Sequence, residues 1–186
     1  MKFSKFNILV IYYNYYFFRL LLSDFSRESS KYMYTDPDLT LEKQKKWFES
    51  VSNDQSCLYW IITVDEEDVG LINLYDIDNK NKRCGWAYYI ANLDFRGKGI
   101  AKQLELNLYR FVFEVLEFNK LWCEVFGFND KVVRLHKIYG SEIEGVLKEH
   151  VYKNDEFHDI VKMAVLKSKW PTIKEKYNYD DINIEY

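Results

Sequence analysis

Apolar side chains at Ala101, Leu104, Leu108, Phe111, Val112 and Val115 recur with the spacing of one helical face and predict a helix running to about residue 117. The residues before it, 84–90, form an apolar run that reads as a strand. Two more strands, 58–64 and 69–76, flank the acidic turn Glu66-Glu67-Asp68, and a polar turn at 78–82 leads into the third, so the three form a meander. Upstream, residues 6–12 read as a strand followed by a helix to about residue 29. Thr40 is placed as the N-cap of a charged helix over 41–51, with Trp47 and Phe48 on its apolar side. Downstream, the pattern predicts a strand at 120–126, a helix at 130–139 and a closing hairpin of 144–152 and 157–166 around Lys153-Asn154-Asp155. Residues from Ser168 onward are charged, Tyr-rich and weakly patterned, and are read as an extension (168–186) to a domain spanning 1–167. The expected class is α/β, with a mixed, mostly antiparallel sheet flanked by about four helices.

The handover from strand to helix is the chemically telling place. Arg96, Gly97, Lys98, Gly99, Ile100 and Ala101 put two glycines and two cations at a helix N-terminus, with Lys102 just beyond. Unsatisfied backbone N–H groups and the positive end of the helix dipole converge at such a point, and glycine lets an anion come close to the backbone. The turn therefore reads as a phosphate site. A dinucleotide fold is excluded, since G-x-G-x-x-G and the long strand–helix alternation are missing, and a P-loop is excluded because G-x-x-x-x-G-K-[ST] is missing.

Composition narrows the setting. The formal charge of −3 argues against a general nucleic-acid surface, so positive charge must act locally. Aromatic residues make up 18% of the chain, which suits a packed core. Cys57, Cys84 and Cys123 lie far apart in apolar runs and read as buried thiols in a reducing cytoplasm. The apolar run 8–22 is interrupted by Asn14 and Arg19 and is short for a membrane span, so a soluble protein is expected. His150 and His158 on the closing hairpin do not complete a metal-ligand set, and no metal is expected; His158 beside Asp159 reads as a structural or substrate-side pair.

With Arg96, Gly99 and Ala101 matching [QR]-x-x-G-x-[GA], and with Asn129, Val133, Leu135, Gly140, Glu144-Gly145 and Asp159 following at suitable distances, the chain resembles the GCN5-related N-acetyltransferases (GNAT) over about residues 6–167. The resemblance implies acetyl-CoA as donor, its pyrophosphate on the amides of Arg96, Gly97, Lys98, Gly99, Ile100, Ala101 and Lys102. It also implies a pantetheine arm along Tyr89, Ile90 and Ala91 with help from Asn129, and a sheet whose two central parallel strands, 84–90 and 120–126, splay apart around the acetyl group. Transfer is direct, without a covalent enzyme intermediate. Where many members carry a tyrosine that protonates the departing thiolate, this chain has His136. Histidine is able to do that work near neutrality, the alternatives being a surface histidine or Tyr139 one turn on. Glu124 is the candidate base for the substrate ammonium, its alternative a residue held in a salt bridge.

Within the family, two subgroups fit best. Arg27 with Tyr32, Met33 and Tyr34 resembles the amino-sugar-nucleotide acetyltransferases of pseudaminic-acid biosynthesis, where Tyr or Trp would stack on uracil and Arg27 or Lys31 would meet the diphosphate. The alternative is a protein N-terminus, as in the ribosomal-protein alanine acetyltransferases, or a polyamine. A third possibility, of another class, is a non-catalytic acetyl-CoA-binding module. A monomer or homodimer is expected.

Overall fold

A computed structural model describes residues 6–10, 30–34 and 40–185. The helix expected after the first strand, and Arg27 with it, lie outside the described residues. The chain folds as two compact units, one of residues 1–76, 87–100 and 181–186, the other of residues 77–86 and 101–180. Two strands, β3 (Glu67–Asp78) and β4 (Arg83–Ile90), run through both.

In the first unit β4, β3, β2 (Leu58–Val64), β1 (Phe6–Val10) and β8 (Asn183–Ile184) lie in that order. The meander is present. Its first turn is tighter than the acidic run suggests, because Asp65 and Glu66 both take positive φ (50° and 71°) and close a two-residue hairpin. Helix α1 (Leu41–Ser52) follows Thr40, which sits at the N-cap with extended φ/ψ but makes no side-chain capping bond. Phe48 packs with Ile61 and Leu71, and Trp47, Tyr59 and Tyr89 close over that cluster.

In the second unit the order is β6 (Glu142–Lys153), β7 (Glu156–Leu166), β5 (Lys120–Phe126) and β4. The expected parallel pair exists: Arg83, Cys84 and Gly85 of β4 lie opposite Lys120, Leu121 and Trp122 of β5, and each strand then runs on. β5 pairs along its whole length with β7 on the other side. Helix α2 (Ile100–Arg110) gives way to a π-helical turn, Phe111–Val115, in which the Leu116 N–H reaches back five residues to the Phe111 carbonyl. That extra residue per turn rotates the apolar face. Val115, expected inside, is 40% exposed, and Phe113 is fully buried instead.

The residues after Leu166, whose pattern predicts no element, are ordered by tertiary contacts. Helix α4 (Trp170–Lys176) buries Trp170 against Tyr109 and Phe113, and the Trp170 indole N–H donates to Glu114 at 2.7 Å. Beyond it, Lys102 Nζ donates to the Asn178 carbonyl at 2.7 Å and Asn107 Nδ2 to the Asp180 carbonyl at 2.9 Å, so the segment straps α2. Short polar contacts of this kind leave no hydrophobic period for a sequence to display. Among the described residues no helix is long and apolar enough to cross a membrane.

Candidate active site

In the first unit, the end of β4 is shaped by glycine. A Cβ on Gly70 would stand 2.2 Å from the Tyr89 carbonyl oxygen, so only glycine lets β3 approach β4 this closely. One residue back, the Val69 carbonyl accepts two successive amides, Ala91 N–H at 2.5 Å and Asn92 N–H at 3.2 Å, a bulge that ends the strand. Tyr89 and Ala91 thus turn their backbone groups toward β3. By strand alternation Ile90 turns its own the other way, and of the three residues expected to carry the pantetheine arm it is the one so placed. The Ile90 carbonyl already accepts from the Arg96 guanidinium, from Nε at 3.3 Å and Nη2 at 3.2 Å.

The turn that follows has the conformation a phosphate cradle needs. Gly97 and Gly99 adopt φ of 74° and 87°, values that L side chains rarely take, and a Cβ at either would meet no protein atom within 4 Å. These open glycines lead directly into the first turn of α2, whose leading N–H groups have no intrahelical partner. The residues fit a diphosphate. The cations have other ties than the charge cluster suggests. Arg96 folds back onto Ile90, Lys98 Nζ lies 5.1 Å from the centre of the Phe95 ring, and Lys102 is bound to Asn178. What this turn offers an anion is therefore chiefly backbone.

In the second unit, His136 is on helix α3 (Asp130–Ile138) and is 4% exposed, which corrects the surface-histidine alternative. Its Nδ1 lies 3.0 Å from Oε1 of Glu105, a carboxylate with no solvent exposure. The Tyr109 hydroxyl donates to Oε2 of the same carboxylate at 3.1 Å and lies 3.4 Å from Ser141 Oγ. Burial and the Glu105 charge push the Tyr109 phenol well above its ordinary value. Burial likewise pushes up the Cys123 thiol, with Glu105 and Glu124 adding to it. The Trp86 ring packs on His136 with centroids 5.0 Å apart.

Sequence reasoning missed Glu105. Residues 104–109 are buried all round the helix, so a polar residue there must be paired; the alternation Leu-Glu-Leu-Asn-Leu-Tyr is the signal that was available. Tyr139 closes α3, half-buried against the Tyr177 ring at 5.5 Å, its phenol raised by burial first and by Glu105 second. Asn129 is the N-cap residue of α3, where its carbonyl accepts from Val132 and Val133 but its side chain makes no capping bond. Glu124 pairs across the ladder with Lys162 at 3.2 Å, and that ammonium also lies 4.2 Å from the centre of the Trp122 ring. The salt-bridge alternative is the one this contact supports. His158 and Asp159 part company, as adjacent strand residues do: His158 Nε2 is 3.0 Å from the Lys153 carbonyl, while Asp159 holds Lys148 at 2.7 Å and the Glu149 amide. Lys148 and the amide hold the Asp159 carboxyl below its usual range.

Tyr32 and Tyr34 are 44% and 42% exposed. The Lys31 ammonium lies 4.8 Å from the centre of the Tyr32 ring. Met33 N–H closes the local turn onto the Ser30 carbonyl. No group of three or more potential metal ligands occurs among the described residues.

A glycine turn feeding a helix after a bulged strand, within a mixed sheet of this order, is the frame of an acetyl-CoA-dependent acyltransferase. The Acetyltransferase (GNAT) domain family matches residues 17–142, and the chain belongs to that family of N-acetyltransferases. It is 32% identical over 127 residues to the SPbeta prophage-derived uncharacterized N-acetyltransferase YokL of Bacillus subtilis, covering 68% of this chain and 71% of that protein. It is 22% identical over 140 residues, 75% of each chain, to the spermidine N(1)-acetyltransferase of Escherichia coli K12. Among solved structures, the spermidine N-acetyltransferase of Vibrio cholerae in complex with CoA and spermine shares the fold, with a TM-score of 0.81 at 21% identity over 90% of this chain and 99% of that one.

Proposed function

We propose that this N-acetyltransferase acts on a primary amine of the polyamine class. The observation that carries the reading is its likeness to spermidine acetyltransferases, over three quarters of the sequence in one case and nearly the whole fold in another. The amino-sugar-nucleotide expectation loses its support, because the named acceptor of the relatives described above is a polyamine. A polycation also suits a chain whose own charge is −3.

Acetyl-CoA supplies an activated acetyl thioester. The amides from Gly97 to Ile100 hold its diphosphate, and Ile90 holds the arm. The neutral amine forms the N–C bond, the C–S bond breaks, and the proton lost by nitrogen passes through water to His136 Nε2 and from there to the departing sulfur. Glu124, held by Lys162, is not needed as base. The test is thiol release from acetyl-CoA with spermidine, spermine, a UDP-4-amino-6-deoxysugar and a peptide with a free N-terminal alanine. Turnover with the polyamines is expected. Turnover with the sugar nucleotide or the peptide alone refutes the acceptor assignment, and micromolar acetyl-CoA binding without any turnover refutes catalysis.

A further inference from the structure

We propose that Glu105 is the positioning residue for His136, fixing the tautomer and angle of the ring that protonates the thiolate; this rests on the role given to His136 above. Glu105 Oε1 lies 3.0 Å from Nδ1, and in the proposed arrangement it accepts the proton carried by Nδ1. Proton exchange by the ring then runs through Nε2. Glu105 is itself oriented, since Tyr109 donates to its second oxygen at 3.1 Å. The residue is held elsewhere too: its backbone carbonyl accepts from the Ser141 amide at 2.9 Å, and the Trp86 ring lies 5.0 Å from the imidazole, centre to centre.

Stability alone does not account for the pair. Removing two charged or polar groups from water costs several kcal/mol, and apolar substitutes of like volume are often neutral or better. Glu105 is fully buried on α2, where a carboxylate is kept at the cost of its hydration. What a carboxylate adds, and leucine does not, is direction for an imidazole.

The experiment has two arms. Long-range 1H–15N spectra of the wild-type protein, whose three histidines are assigned with H136A, report which ring nitrogen of His136 carries the proton. The Nδ1–H form is expected; the Nε2–H form overturns the proposal, and this arm needs no Glu105 variant to fold. In the second arm, H136A, E105Q and the double variant are compared with acetyl-CoA and spermidine. H136A is expected to lower kcat about 10²-fold or more, and E105Q about 10-fold to 100-fold, each with KM for acetyl-CoA within about twofold of wild type. In the double variant E105Q is expected to add nothing, because a residue acting through His136 has no route without it. An E105Q effect of the same size in the H136A background overturns the role of Glu105 and leaves His136 as the acid. H136A at the wild-type rate overturns the acid assignment itself, and the positioning role with it.

Discussion

Replacing Gly70 by alanine tests the architecture of the donor site at one atom. The added Cβ would stand 2.2 Å from the Tyr89 carbonyl oxygen and 3.1 Å from the Ile90 Cα, both backbone atoms that no rotamer change can move aside. Bringing the first distance to 3.0 Å needs β3 and β4 to part by about 0.8 Å. Overpacking of this kind costs ~1–3 kcal/mol. The two amides on the Val69 carbonyl lie beside the clash, and weakening them adds about 0.5–1.5 kcal/mol each. A total of about 2–6 kcal/mol in a chain of this size lowers Tm by roughly 4–24 °C, measurable by thermal denaturation followed by circular dichroism. The same parting displaces Ile90, so KM for acetyl-CoA should rise about tenfold or more, since misplacement by ~1 Å costs up to about 10²-fold. An unchanged Tm refutes the close approach of the strands. A lowered Tm with wild-type KM refutes the use of this strand end by the donor.

Other expected outcomes are simpler to state. Gly99→Ala and Gly99→Asp pay the same backbone strain at a φ of 87°, about 1–2 kcal/mol, but only aspartate sets a negative charge on the turn. Titration calorimetry with CoA should therefore show G99D binding at least about tenfold more weakly than G99A, a gap of ~1.4 kcal/mol, and equal affinities would remove the diphosphate from this turn. Trp170→Ala should cost about 3–5 kcal/mol in urea unfolding, because the ring is 3% exposed between Tyr109 and Phe113; a loss below about 1 kcal/mol would mean that α4 packs loosely. Burial pushes the Cys84 thiol up to about 12 from 9.0. The unfolded chain then releases that proton first, so this group's contribution to stability is full below pH 9.0 and lost as pH rises toward 12. Iodoacetamide at pH 8 should accordingly label half-exposed Cys57 and spare Cys84 and Cys123, and labelling of all three in the native state would contradict the burial.

The elements with a strong period were legible in the sequence: the meander, α2 and the closing hairpin all lie within a few residues of their predicted places. The Arg96 to Ala101 turn was legible because glycine at a helix entry has few other uses. Features set by tertiary hydrogen bonds were not. The bulge on the Val69 carbonyl leaves no mark on residue type, and the π turn at Phe111 keeps every apolar residue while changing which of them faces inward. Glu105 drew no attention because helix periodicity supposes a wet face, and this part of α2 has none. His136 was found through the family resemblance, but its partner came from another helix 31 residues away in the chain.

The pairing of β1 with β8 bears on how the chain is made. Asn7 and Ile8 of β1 lie opposite Asn183 and Ile184, and the Trp60 indole on neighbouring β2 donates to the Glu185 carbonyl at 2.6 Å. A ribosome adding about 5–20 residues per second needs roughly 9–35 s between synthesis of the two strands. Through that interval β1 is an outer edge, the part of a sheet most open to pairing with a second chain. Slow translation or crowded expression therefore exposes a hazard that the finished fold conceals, and its remedy is the arrival of a two-residue strand.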